Sequence, residues 1–159
     1  MFSQLGVGTT FRIYLPLVTL RQTGDADDAV PTLPRGDETL LLVEDDRVVR
    51  KLLKKMLTNY GYTVLEAGDG DQAIALFRAN PAAVDLVISD FIMPGKNGKE
   101  VSDVLRTIRP NIKVLFISGY ADDVLISRGI SSHQLHYLTK PVNPEALLVK
   151  VRAVLDGHE

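Results

Sequence analysis

The feature that most constrains this chain is a set of short, nearly unbroken apolar runs, each of strand length and each closing on polar or acidic residues. Thr39-Leu-Leu-Leu-Val runs into Glu44-Asp45-Asp46, Val84-Asp-Leu-Val-Ile-Ser into Asp90, and Ile112-Lys-Val-Leu-Phe-Ile-Ser118 into Gly119-Tyr120. Strands that are apolar on both sides must be covered on both faces, which is the condition of parallel strands layered between helices. The intervening segments supply those helices. Val48, Val49, Leu52, Leu53, Met56 and Leu57 recur at helical spacing behind Asp45 or Asp46, either of which can cap. Gly61 then stands where a helix commonly ends in a left-handed residue. Tyr62–Glu66 reads as a second strand, and Asp69–Ala79 as a helix with Ala73, Ile74, Leu76 and Phe77 inward, stopped by Asn80-Pro81. Lys99–Ile108 is a third helix carrying Val101, Val104, Leu105 and Ile108 on one face. A short helix near residues 121–127, a fifth strand at residues 134–138 and a last helix from Asn143-Pro144 to about Leu155 complete the series. Five strands alternating with five helices through right-handed crossovers make an α/β fold with a doubly wound parallel sheet.

The rest of the chain is organised around that body. Residues 19–37, with the run Gln22-Thr-Gly-Asp-Ala-Asp-Asp-Ala-Val-Pro-Thr-Leu-Pro-Arg-Gly-Asp, are acidic and rich in Pro and Gly, and read as a linker. Upstream, Phe11-Arg-Ile-Tyr-Leu-Pro-Leu alternates as a strand would, yet one strand builds no core. It belongs to a neighbouring domain or packs on a partner. The expected division is therefore residues 1–18, linker 19–37 and a body of residues 38–157. With 18 Lys and Arg against 20 Asp and Glu, the net charge of −2 gives no footprint for nucleic acid or an anionic membrane. The absence of cysteine excludes disulfide frameworks, zinc knuckles and thiol catalysis. No apolar stretch approaches the roughly 20 residues of a membrane span, and no signal-peptide pattern opens the chain, so the expectation is a cytoplasmic protein without membrane contact.

In an open α/β sheet, ligands sit beyond the carboxyl ends of the strands. The first strand delivers Glu44, Asp45 and Asp46 there, the third Ser89 and Asp90, the fourth Ser118, Gly119 and Tyr120, and the fifth Thr139, Lys140 and Pro141. Converging carboxylates repel by about 4 kcal/mol per pair at about 4 Å and an effective dielectric of about 20. Either some of them protonate or a cation neutralises them. Oxygen-only ligation favours Mg²⁺, Mn²⁺ or Ca²⁺ over zinc. His133, His136 and His158 do not cluster with the acids and are read as surface or packing residues.

With these motifs in place, residues from about Glu38 to Leu155 resemble the receiver domain of two-component response regulators. The resemblance is carried by Leu-Leu-Val-Glu44-Asp45-Asp46, Asp85-Leu-Val-Ile-Ser-Asp90-Phe-Ile-Met-Pro94-Gly-Lys-Asn-Gly98, Phe-Ile-Ser118-Gly119-Tyr120 and Tyr137-Leu-Thr-Lys140-Pro141. It implies the flavodoxin-like receiver fold, with strand order 2-1-3-4-5. It implies that Asp90 accepts a phosphoryl group from a phosphohistidine. Mg²⁺, or Mn²⁺, would be held by Asp45, Asp90 and the main-chain carbonyl of Ile92, with Glu44 acting through water. Lys140 would pair with Asp90 before reaction and with a phosphoryl oxygen afterwards, and Ser118 would donate to another. Gly119 leaves room for the group, Gly98 permits a tight turn before its helix, and Pro141 follows a cis peptide bond. Ser118 and Tyr137 would form the switch that alters the surface of the fourth helix, fifth strand and last helix.

A second resemblance lies upstream: Gly6-Val-Gly8-Thr9-Thr10-Phe11-Arg-Ile-Tyr-Leu15-Pro16 is similar to the last glycine-rich turn and strand of a histidine-kinase ATP-binding domain. Residues 1–18 would then be the remnant of that domain, and the chain the C-terminal receiver of a hybrid sensor histidine kinase. The implied partners are a sensor histidine kinase, in cis or trans, and a histidine phosphotransfer protein, with homodimerisation left open. Turnover would be limited to self-phosphorylation and slow autodephosphorylation. With few residues after the last helix, output is expected through phosphotransfer or binding rather than through a DNA-binding domain. Two alternatives compete. An aspartyl-nucleophile phosphohydrolase places an acid two residues after its nucleophile, where this chain has Ile92. A receiver-like module that is never phosphorylated would lack an acid, the lysine or the nucleophile, and none is missing.

Overall fold

A computed structural model describes residues 2–4, 8–10, 33–119 and 136–157 of the 159. The chain divides into two compact units, Met1–Pro31 and Thr32–Glu159. In the first, β1 (Phe2–Gln4) and β2 (Gly8–Thr10) pair antiparallel, with Ser3 opposite Thr9. The alternating segment at residues 11–17 lies outside the described residues.

The second unit runs β3 (Thr39–Val43), α1 (Arg47–Asn59), β4 (Thr63–Ala67), α2 (Gly70–Ala79), β5 (Leu86–Asp90), α3 (Gly98–Ile108), β6 (Lys113–Ser118), β7 (His136–Thr139) and α4 (Pro144–Asp156). The strands form one parallel sheet in the order β4-β3-β5-β6-β7, which is the expected 2-1-3-4-5. Tyr120 and the short helix expected near residues 121–127 lie outside the described residues.

Successive strand side chains point to opposite faces, and the apolar runs are long enough to feed both. Leu41, Val43, Val87, Val114 and Phe116 pack with Ala73, Ile74 and Phe77 of α2 and Val101 and Leu105 of α3. Leu40, Leu42, Leu86, Ile88, Leu115 and Ile117 pack with Leu53 and Leu57 of α1 and with Leu147, Leu148, Val151 and Val154 of α4. The sheet is thus wound on both sides. One register governs both cores, because a one-residue slip would exchange the two sets.

The helices start where side chains satisfy their free N–H groups. The Asp46 carboxylate accepts from Val48 N at 2.7 Å and Val49 N at 3.0 Å. Asn97 and Glu100 form a capping box at α3, and Asn143 caps α4 with Pro144 behind it. Such caps contribute about 1 kcal/mol each. Along α1 the apolar pattern is wider than the buried stripe. Val48 and Leu52, four residues apart on one side of the helix, remain 76% and 58% exposed.

The body also begins earlier than the composition implies. Leu33 packs against the α1/α4 core, the Gly36 N–H donates to the Tyr60 carbonyl at 3.1 Å, and Glu38 pairs with Arg152 at 2.7 Å. Residues 33–37, read from their polarity as the end of the linker, therefore form a strap on the underside of the sheet. Gly61, with φ 100°, is needed there, since a Cβ would lie 2.3 Å from the Gly36 carbonyl oxygen.

Candidate functional site

Four strands end at one mouth. β3 leads into Glu44, which is 1% exposed, and Asp45, which is exposed; β5 ends on Asp90, 7% exposed. One carboxylate oxygen from each of Glu44, Asp45 and Asp90 lies within 4.8 Å of the other two. Lys140 follows β7 and reaches back across the sheet. Its ammonium donates to Asp90 Oδ2 at 2.7 Å and to Glu44 Oε2 at 3.0 Å. Asp90 Oδ1 accepts from the Ile92 N–H at 3.1 Å. Ser118, buried at the end of β6, is in register with Thr139, and its carbonyl accepts from the Lys140 N–H at 2.7 Å. The Lys140–Pro141 peptide is cis, as expected. Gly119 leaves open space, since a Cβ at that residue would meet nothing within 4 Å. Tyr137 is half-buried in β7 and packs against the α2/α3 core.

The structure adds three details at this level. Asp46 does not join the cluster: its carboxylate is spent on the α1 N-cap, whose two N–H donors hold its pKa below the ordinary value. Glu44 has a direct ion pair with Lys140 beside whatever it does through water, because its side chain enters the protein rather than the solvent. Gly98 is required by space rather than by its turn angle. A Cβ there would sit 2.3 Å from the Asp90 carbonyl oxygen, whereas the left-handed residue of this loop is Gly95, with φ 78°.

The electrostatics follow from one lysine facing three acids. Burial pushes the Glu44 pKa up and the Asp90 charge adds to this, while Lys140 and the Asp46 N–H pull the other way without offsetting it. Burial alone would lower the Lys140 pKa, but its bonds to Asp90 and Glu44 carry it upward. The site is therefore short of positive charge. Its donor set is carboxylate oxygen without nitrogen or sulfur, which fits a hard divalent cation such as Mg²⁺.

Arg50 is a participant that motif reading missed. Its Nη1 donates to the main-chain carbonyls of Glu44 and Asp45, the two residues that carry the acids. The available signal was an arginine in the first turn of a helix whose start is set by a neighbouring aspartate.

The family model of the response regulator receiver domain matches residues 40–152. This chain belongs to that family. Among curated relatives, the receiver is 35% identical to the sensor kinase CckA of Brucella abortus (strain 2308) over 165 residues, which cover 99% of this chain and 18% of that protein. It is 36% identical over 116 residues to the transcriptional regulatory protein CpxR of Klebsiella pneumoniae, covering 73% of this chain and 48% of that one. The chain thus spans half or less of these relatives. Among solved structures it is similar to the receiver domain from the hybrid histidine kinase CckA, at 34% identity and a TM-score of 0.63, covering 74% of this chain and 98% of that one. Vibrio cholerae chemotaxis protein CheY4 gives 27% identity and a TM-score of 0.64, with 75% and 99% covered.

Proposed function

We propose that this receiver is a Mg²⁺-dependent phosphoacceptor in a two-component phosphorelay, with Asp90 as the residue modified. The observation that carries this reading is the Lys140 ammonium bridging Asp90 and Glu44 beside the exposed Asp45. An Asp90 carboxylate oxygen attacks the phosphorus of a phosphohistidine in line. The P–N bond breaks, its electron pair returns to the imidazole, and an acyl phosphate remains on Asp90. Asp45, Asp90 and the Ile92 main-chain carbonyl would hold the ion, with Glu44 acting on it through water. Bound there, Mg²⁺ neutralises phosphoryl oxygens and aligns them for transfer. Lys140 exchanges its bond to Asp90 for one to a phosphoryl oxygen, and Ser118 donates to another. The new group adds roughly −1.5 to −2 charge. Ser118 moves toward it, Tyr137 turns into the space vacated, and the surface built on β7 and its neighbouring helices shifts its equilibrium between partners.

The donor is a sensor histidine kinase or a histidine phosphotransfer protein, in the cytoplasm. The match to CckA extends over nearly all of this chain rather than over the receiver alone. That breadth supports reading residues 1–18 as the end of a kinase ATP-binding domain, the segment from residue 19 up to the strap at 33–37 as linker, and the receiver as the C-terminal part of a hybrid kinase.

The test is acetyl phosphate treatment with and without Mg²⁺, followed by intact mass. The expected outcome is one phosphoryl group on the parent with Mg²⁺, little without it, and none on Asp90→Asn. Equal labelling of the Asn variant rejects Asp90. A Tyr137→Ala variant that is labelled normally and binds partners with unchanged phosphorylation dependence rejects the switch.

A further inference from the structure

β3 passes into α1 through only Glu44, Asp45 and Asp46, so the main chain bearing the acids has no strand partner to fix it along its whole length. Arg50 closes on that segment from the first turn of α1. Its Nη1 donates to the Glu44 carbonyl and, at 3.2 Å, to the Asp45 carbonyl. Both bonds leave one guanidinium nitrogen, and being charge-assisted they hold the two carbonyls more firmly than a neutral donor would. Its seat is fixed in turn. Gly68, in the turn between β4 and α2, lies against it, so that a Cβ there would fall 3.3 Å from Nη1 and 3.5 Å from Cζ. The Gly68 N–H is tied to Gln72 Oε1 at 2.6 Å, and the Glu44 N–H to the Ala67 carbonyl at 3.2 Å. Helix stability accounts for the cation only in part, because its charge is attracted to the Asp46 cap but opposes the helix dipole at this end.

We propose that Arg50 is a positioning residue for the divalent-cation site. By fixing the carbonyls of Glu44 and Asp45 it sets where their carboxylates stand before an ion arrives, and Gly68 is the space that lets it do so. This rests on the Mg²⁺-dependent reading above. It adds a residue with no carboxylate and no contact with the phosphoryl group.

The experiment measures the Mg²⁺ dissociation constant of the unphosphorylated full chain by calorimetry, alongside the metal-free thermal midpoint. Arg50→Gln should weaken Mg²⁺ about tenfold, the low end of what outer-shell partners contribute. Arg50→Lys, which keeps the charge but loses the rigid planar group seated on Gly68, should recover part of that loss. Gly68→Ala should weaken binding in the parent, because its methyl displaces the far end of a flexible side chain, and should have no effect once Arg50 is Gln. Val154→Ala in the remote α1/α4 core should lower the midpoint and leave Mg²⁺ binding unchanged. A parent that binds Mg²⁺ while Arg50→Gln binds it equally overturns this inference alone, as does a Gly68→Ala effect of the same size in both backgrounds. A parent that binds no Mg²⁺ overturns the phosphoacceptor reading along with it.

Discussion

The two ends of the central sheet treat charge in opposite ways. At the carboxyl end, Glu44, Asp45 and Asp90 crowd one another with Lys140 shared between two of them. At the amino end, carboxylates and cations are matched. Arg152 bridges Glu38 and Asp156, Asp85 accepts from the Thr39 N–H at 2.8 Å, and Arg109 and Lys113 donate to main-chain carbonyls. The pKa directions follow, with Glu44 raised by burial and Glu38 lowered by Arg152. The same fold thus keeps one end satisfied and leaves the other short of positive charge, which a cation would supply.

The largest effects should come from the glycine at each end where two backbones nearly touch. Gly98→Ala drives a methyl into the Asp90 carbonyl, and Gly61→Ala drives one into the Gly36 carbonyl with a left-handed φ besides. Backbone has to move in both, so each should lose about 3 kcal/mol in urea unfolding, the upper part of the overpacking range. The variants should separate in function. At a temperature where both remain folded, Gly98→Ala should slow labelling by acetyl phosphate, whereas Gly61→Ala should label as the parent does. Equal slowing would mean that the ends are not independent.

Removing the cation at each end should cost less, and unequally. Lys140→Met strands Glu44 and Asp90 in a buried site. Breaking such a pair costs about 3–5 kcal/mol when fully buried, reduced here to about 2 because the lysine is partly exposed. Arg152→Met releases carboxylates that can reach water, for about 1 kcal/mol. Mg²⁺ should return part of the Lys140→Met loss and none of the Arg152→Met loss. Chemical unfolding with and without Mg²⁺ reads both.

Legibility in the sequence divides along the same line. The carboxyl end could be read because each strand announces its end with a polar residue after an apolar run, and the structure brings Glu44, Asp45, Asp90 and Lys140 together there, with Ser118 at the end of the neighbouring strand. The underside strap could not, since Leu33 and Gly36 sit among prolines and acids and only their contacts reveal a folded segment. Asp45 and Asp46 could not be told apart as the cap of α1, because a capping aspartate and a ligand look alike in one dimension, and the structure gives the cap to Asp46. Val48 and Leu52 widened the apparent stripe of α1 because periodicity records hydrophobicity, not what lies opposite. Arg50 was hidden for a related reason, as main-chain carbonyls leave no mark in a pattern of side chains.

The smallest effects, and the most direct comparison of the two ends, come from pH. Glu38 has a folded pKa below its ordinary value of 4.5, so its contribution is present above pH 4.5 and is lost as pH falls through the lowered value. The advantage of the parent over Glu38→Gln, below about 1 kcal/mol for so exposed a pair, should shrink on acidification below that point. Glu44 has a folded pKa above 4.5, so its contribution is full below pH 4.5 and is lost as pH rises through the raised value. Without divalent metal, Glu44→Gln should therefore gain on the parent between pH 4.5 and neutrality, the reverse of the Glu38 trend. Thermal midpoints of parent and variants across pH 3–8 measure both. Two trends of the same sign would show that Glu44 is as well compensated as Glu38, and that the carboxyl end holds no unmet charge for a cation to answer.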